Sequence, residues 1–257
     1  MTRRWSLITT IAVLTVALAF VVVQLVRGEG AGGSGEEKGG AAAASPKATA
    51  EGLQGVGWWP LHRSGTAKAG EHDAVAGSGT EWTDGPGGGA LRLDGSSGSA
   101  DTGTRIDTRK NDYSFAARVK LDAEDMSGFH TALSQDGEKF STFYLQYAGP
   151  DENFAFSFPG ARTVAEQAEQ PQAGRWYHLT GTYGQKDHRM KIYVDGRLAG
   201  SRQATGRVKP TGSVVVGRGK FGGKAVDHWK GDVADVHVYD RELTADEVKS
   251  LSAHEPD

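Results

Sequence analysis

An all-β fold, two antiparallel sheets packed face to face as a sandwich, is what this sequence predicts beyond residue 52, and three observations predict it. Short apolar runs alternate with polar residues at period two, the pattern of a half-buried strand. Gly, Asp and Pro bound these runs at the spacing expected of a sandwich or barrel. Helical periodicity is nearly absent.

The elements follow in chain order. From Trp5 to Val26 no residue is charged, and a helix of that length spans about 33 Å at ~1.5 Å per residue, enough for a hydrocarbon core of ~30 Å. Arg3 and Arg4 precede the run, Arg27 follows it, and Glu29, Glu36 and Glu37 lie beyond. The Lys/Arg bias then keeps the N-terminus in the cytoplasm and puts the rest outside. Residues 1–27 are therefore expected to be a single-pass membrane anchor, with the C-terminal domain extracytoplasmic. A cleaved signal segment is the competing reading, but its apolar region is usually shorter and ends in small residues rather than Arg-Gly-Glu-Gly. Residues 28–52 are Gly- and Ala-rich, too poor in apolar surface to fold, and are expected to be a flexible linker with a mean reach on the order of 25 Å.

Residues 53–257 form the domain. In Ser114–Leu121 the residues Phe115, Ala117, Val119 and Leu121 share one face, while Ser114, Arg118 and Lys120 share the other, which predicts a half-buried strand. Lys191–Val194 runs into Asp195-Gly196 and then Arg197–Gly200. An Asp-Gly pair between two such runs predicts a hairpin, because both turn positions need positive φ. Further strands are expected at Ala90–Asp94, Thr131–Gln135, Thr142–Tyr147, Asn153–Phe158, Trp176–Tyr183, Ser213–Gly217 and Val233–Tyr239. A short helix closes the chain, since Thr244 and Glu247 form a Thr-x-x-Glu capping box.

Composition removes several function classes. With no cysteine the chain holds no disulfide framework, no Cys-ligated metal and no thiol nucleophile. Residues 51–257 carry 24 Lys/Arg against 29 Asp/Glu, a net charge of −5 that disfavours nucleic acid, whose binding needs a basic stripe. The catalytic motifs also fail. Gly217–Gly222 spells G-x-G-x-x-G, but no helix follows to receive a pyrophosphate, so it is expected to be a loop. Neither G-x-S-x-G nor H-E-x-x-H occurs, and no strand carries the closely spaced carboxylates of a sandwich-type glycoside hydrolase.

Several strands carry a recognisable wording. Gly88–Gly95 (GGALRLDG), Tyr113–Lys120 (YSFAARVK), Ala132–Gly137 (ALSQDG), Trp176–Tyr183 (WYHLTGTY), Ile192–Gly196 (IYVDG) and Gly231–Thr244 (GDVADVHVYDRELT) together resemble, in order, the laminin-G-like, concanavalin A-like domains of bacterial surface and secreted proteins. The resemblance covers about residues 53–252. It implies a jelly roll with one sheet curved into a concave face, where relatives that bind sugars or peptides do so. It also implies a calcium ion near the sheet edge, for which Asp94 and Asp235 match the family's early-strand and closing-strand aspartates. The alternative is that Asp94 begins a turn and Asp235 is a solvated strand carboxylate.

Tyr144, Gln146, His130 and Trp229 are the ligand-binding candidates. A sugar presents an apolar C–H face to an aromatic ring and hydroxyls to polar neighbours. Tyr144 and Gln146 fall opposite the apolar set Phe143, Leu145 and Tyr147, and Trp229 lies in a Gly-, Lys- and Asp-rich stretch. Phe154, Phe156 and Phe158, with Trp58, Trp59 and Trp176, are expected in the core, and His178 and His237 as structural residues. The sequence thus points to a membrane-tethered binding module for carbohydrate or cell-envelope glycan, without catalytic residues and with calcium as its one candidate cofactor. Docking to a protein partner, or less favourably glycan hydrolysis, are the alternatives.

Overall fold

The computed structural model describes residues 52–122, 126–206 and 208–255. The expected anchor at 1–27, and the expected linker up to residue 51, lie outside the described residues. Among those described, no helix is long and apolar enough to cross a membrane.

The strands in chain order are β1 (Gly57–Trp59), β2 (Val75–Ala76), β3 (Thr80–Thr83), β4 (Ala90–Asp94), β5 (Ala100–Asp101), β6 (Tyr113–Leu121), β7 (Phe129–Gly137), β8 (Ser141–Ala148) and β9 (Asn153–Phe158). They continue with β10 (Ala161–Val164), β11 (Trp176–Gly184), β12 (Arg189–Val194), β13 (Arg197–Gln203), β14 (Pro210–Val216), β15 (Gly219–Phe221), β16 (Lys224–Val226) and β17 (Lys230–Tyr239), and helix α1 (Ala245–Ala253) closes the chain. One sheet has the order β13-β12-β11-β6-β17-β4-β3, with β1 also paired to β17, and the other runs β10-β9-β8-β7-β14-β5-β2. Every pairing between these strands is antiparallel. The expected sandwich is therefore present.

Period-two patterning places the core between the sheets. Phe115, Ala117 and Val119 of β6, with Leu179 of β11, turn inward from one side, and Phe143, Leu145, Phe154 and Phe156 from the other. The rings of Phe115 and Phe143 stack at 3.7 Å between centroids, joining the two sheets. Each of these fully buried Phe, Leu and Val side chains contributes about 1.5–3 kcal/mol of transfer free energy. Gly181 of β11 sits where a Cβ would meet the Phe156 ring at 2.6 Å, so only glycine lets that ring lie against the strand.

The Asp195-Gly196 turn joins β12 to β13 with φ of 48° and 77°, as the pair predicts. The capping box also forms, the Glu247 amide donating to Thr244 Oγ1 and the Thr244 amide to the Glu247 carboxylate. The helix packs on the outer face of the sheet containing β6, where Leu243, Val248 and Leu251 join Ala116, Tyr193 and Tyr239 in a second apolar cluster, with Leu53 packed against it.

Three expectations need correction. Of the tryptophans assigned to the core, Trp59 is fully buried, while Trp58 and Trp176 are half-buried on the outer face. The stretch 217–222 is not all loop, because Gly219–Phe221 pairs with Lys224–Val226 as a small hairpin. Strands β1, β2, β3, β5, β10, β15 and β16 escape the sequence pattern, since two to four residues are too few for a period of two to register.

Candidate functional site

The register of β8 against β9 decides what lies on the outer face of the β10-to-β2 sheet. Leu145 opposes Phe156 in the core, so Tyr144 opposes Ser157 and Gln146 opposes Ala155 on the outside. On the next strand Arg162 opposes Ser157. The β15–β16 hairpin stands along one side of these residues, and Gln167 and Ala199–Arg202 bound the other. The result is a groove of about 1230 Å³.

Its floor is neutral and polar. The Gln146 amide donates to Ser157 Oγ at 3.2 Å and its Oε1 accepts from Thr131 Oγ1 at 3.3 Å. The Tyr144 hydroxyl donates to the Lys220 carbonyl at 2.6 Å and accepts from the Ser141 amide at 3.1 Å. Burial pushes its pKa up. Tyr144 thereby ties the floor to the hairpin, and Gly219 permits the contact, because a Cβ there would meet the tyrosine ring at 2.9 Å. Both residues line the groove as the alternation predicts, but each spends its polar atoms inside the protein.

Aromatic and charged side chains form the edges. Phe221, at the hairpin tip, is 64% exposed and meets Phe140 edge-on at 5.0 Å. Arg162 pairs with Asp151 and lies over the Phe129 ring at 4.8 Å. Asp227 follows the hairpin with φ of 53°, in a conformation that L residues seldom adopt. Burial pushes its pKa up, opposed by His130 and His228. Among the described residues its carboxylate has no hydrogen-bond or ion-pair partner. Sequence inspection missed Asp227, Arg162, Phe129, Phe140 and Phe221; the Gly222-Gly223 pair was the one available signal of the hairpin that presents Phe221.

The other two ligand candidates are placed differently. His130 does not line the groove; its Nδ1 lies 3.2 Å from the His228 carbonyl oxygen, behind Asp227. Trp229 is fully buried in the core and donates from Nε1 to the Lys120 carbonyl at 3.3 Å, so its ring is closed to a ligand. Its polar flanks suggested a loop, yet its amide is fixed to the Gly217 carbonyl and its side chain turns between the sheets.

Asp94 and Asp235 do not form a calcium site together. Asp94 opposes Lys230 at one end of β17, and Asp235 lies five positions further along, roughly 16 Å at ~3.3 Å per residue. The Asp94 carboxylate is filled by the amides of Ser96, Ser97 and Gly98 and the hydroxyls of Ser96 and Ser97. Burial opposes its charge, but these bonds outweigh burial and hold its pKa well below the carboxylate range. Asp235 is not solvated either. It is fully buried at a bulge of β17 with φ of 51°, accepts from Trp58 Nε1 at 2.9 Å, contacts His237 Nε2 at 2.8 Å, and has Arg118 Nε at 3.6 Å. Burial works against its charge, and the His237 and Trp58 contacts more than offset it, bringing the pKa to about 2. Among the described residues no group of three or more His, Cys, Asp or Glu side chains is placed to hold a metal ion.

His178 and His237 are structural. His237 stacks on Trp58 with centroids 5.3 Å apart. His178 is buried with neither ring nitrogen hydrogen-bonded, and burial together with Arg118 lowers its pKa to about 3. A second depression, of about 1540 Å³, is bounded by Glu71, His72, Asp101 and Arg105 and has no Phe, Tyr or Trp in its lining, so the first groove is the better candidate for an organic ligand.

Comparisons with known proteins agree with this architecture. A family model described as the concanavalin A-like lectin/glucanases superfamily matches residues 94–249. The human pentraxin-related protein PTX3 is 25% identical over 151 residues, which is 55% of this chain and 39% of PTX3. Domain 4 of AbnA, an extracellular arabinanase from Geobacillus stearothermophilus solved with arabinotriose, superposes with a TM-score of 0.61 at 18% identity, over 77% of this chain and 97% of that domain. A Trypanosoma rangeli sialidase gives 0.56 at 18% identity, over 76% of this chain and 32% of its own. The receptor-binding domain of botulinum neurotoxin type G gives 0.57 at 14% identity, over 78% and 51%.

Proposed function

This chain belongs to the concanavalin A-like lectin/glucanases superfamily, and from that premise we propose that it is a carbohydrate-binding module whose ligand lies in the groove over β8, β9 and β10. The observation that carries the reading is the groove's composition: a floor of Tyr144, Gln146 and Ser157 with aromatic edges at the half-buried Phe140 and the exposed Phe221. Such a surface offers stacking to sugar rings, and the unpaired Asp227 carboxylate in its lining offers an acceptor for hydroxyls. The arabinotriose bound to the arabinanase domain is consistent with it, as a ligand of that protein.

We read the module as binding rather than hydrolysing: glycoside hydrolases usually flank the scissile bond with two carboxyl groups about 5–9.5 Å apart, whereas the floor strand Ser141–Ala148 carries none and the groove's Asp151, Glu166 and Asp227 come from three separate segments, Asp151 being paired with Arg162. The apolar run Trp5–Val26 supports a membrane tether with the module on the outer side. Cell-envelope glycan is then the ligand within reach.

Thermal melts of the chain across a panel of envelope glycans and plant and bacterial polysaccharides test the proposal. At a ligand concentration 100 times Kd the stabilisation expected is about 2.7 kcal/mol. A melt that moves with no glycan overturns the reading and leaves docking to a protein partner in its place.

A further inference from the structure

Most of the polar groups in the groove are answered within the protein. Tyr144 is bonded to Lys220 and Ser141, Gln146 to Thr131 and Ser157, and Arg162 to Asp151. Glu166 is exposed, so water answers it. Asp227 differs from all of these. It is half-buried at the foot of the hairpin, lines the groove, and lies near enough to Tyr144 for its charge to act on the phenol. Its carbonyl is fixed by the Thr131 amide at 2.8 Å, with the backbone held at φ 53°. A partly desolvated carboxylate without a donor, on a backbone held in a sparsely populated conformation, is costly.

Accepting the carbohydrate reading on which this rests, we propose that Asp227 is the anchor that accepts ligand hydroxyls, and that the groove selects uncharged sugars over anionic ones. A carboxylate with free lone pairs takes two neighbouring hydroxyl donors, whereas it repels the carboxylate of a uronic or sialic acid. The groove's charges point the same way. Asp151, Glu166 and Asp227 outnumber Arg162 and Arg202, and Asp151 already occupies the guanidinium of Arg162 that an acidic sugar would need. Phe221 stands at the tip of the same hairpin, three residues away by pairing, since Gly219 opposes Val226 and Phe221 opposes Lys224. At ~3.3 Å per residue that separation is about 10 Å, so the hydroxyl anchor and the stacking ring would serve two successive sugar units.

The test is calorimetric titration of the full chain with neutral arabino-, xylo- and gluco-oligosaccharides and with oligogalacturonate and sialyllactose as anionic probes. Neutral oligosaccharides are expected to bind at least tenfold more tightly than anionic ones of equal length. Asp227→Asn keeps the side-chain shape and tolerates positive φ. It is expected to weaken neutral binding at least fivefold with an unchanged or raised Tm, and Asp227→Ala at least tenfold. If neutral sugars bind the Asn variant as well as the parent, or anionic sugars bind the parent as tightly, the inference fails while the carbohydrate reading stands. If no oligosaccharide of either class binds, the carbohydrate reading falls and the inference falls with it.

Discussion

The two outer faces of the sandwich are built from strands of similar length and patterning, yet one is closed and the other open. Behind the β6-to-β17 sheet, the C-terminal helix covers Ala116, Tyr193 and Tyr239. Arg118 donates to the Ser252 carbonyl at 3.0 Å and also to that of His254, holding the helix end. Asp235, His237 and Trp58 lock together beside it. On the opposite sheet the corresponding outward residues are left under a groove. The difference lies in one carboxylate on each face: Asp235 is fully buried and paired on the covered face, whereas Asp227 is half-buried and unpaired on the open one, where Arg162 and Asp151 pair with each other.

The comparison breaks most sharply at Asp235. Asp235→Ala strands Arg118 and His237 without their shared carboxylate and is expected to cost about 3–5 kcal/mol in urea denaturation, with glycan affinity of the folded fraction unchanged. A loss below about 1 kcal/mol would mean that the network contributes little. An effect of similar size, but spread over pH, belongs to His178, whose folded pKa of about 3 lies below its ordinary value of 6.5. The unfolded chain then binds the extra proton between these limits, so stability is full above pH 6.5 and falls by up to about 1.4 kcal/mol per pH unit as the pH drops toward 3. His178→Leu is expected to flatten that slope in urea titrations run across pH, and an unchanged slope would place the acid sensitivity elsewhere. On the open face the stability effects nearly vanish. Phe221→Ala is expected to move stability by no more than about 0.5 kcal/mol, and to weaken oligosaccharide binding roughly threefold to tenfold through lost stacking.

Long strands were legible because six or more alternating residues leave a period to read, and the capping box and Asp-Gly turn because each is a local device whose partners lie within a few positions. Tyr144 and Gln146 were legible for the same reason, their face being set by Phe143, Leu145 and Tyr147 on the same strand. The rest of the groove was not. Arg162 and Asp227 reach it from segments separated by 65 positions, joined only by tertiary pairing, and no local pattern encodes that. Trp229 and Asp235 show the converse error. Polar neighbours suggest a loop for Trp229 and the family resemblance a metal ligand for Asp235, but the tryptophan turns into the core and the aspartate is buried at a bulge where Arg118, His237 and the Trp58 indole N–H meet it.

Leu53, near the point where the chain enters the domain, packs with Leu243, Val248 and Leu251 on the helix side. Entry is therefore from the rear of the sandwich, with the full thickness of both sheets between it and the groove. Leu53 and the groove thus stand on opposite faces of the sandwich.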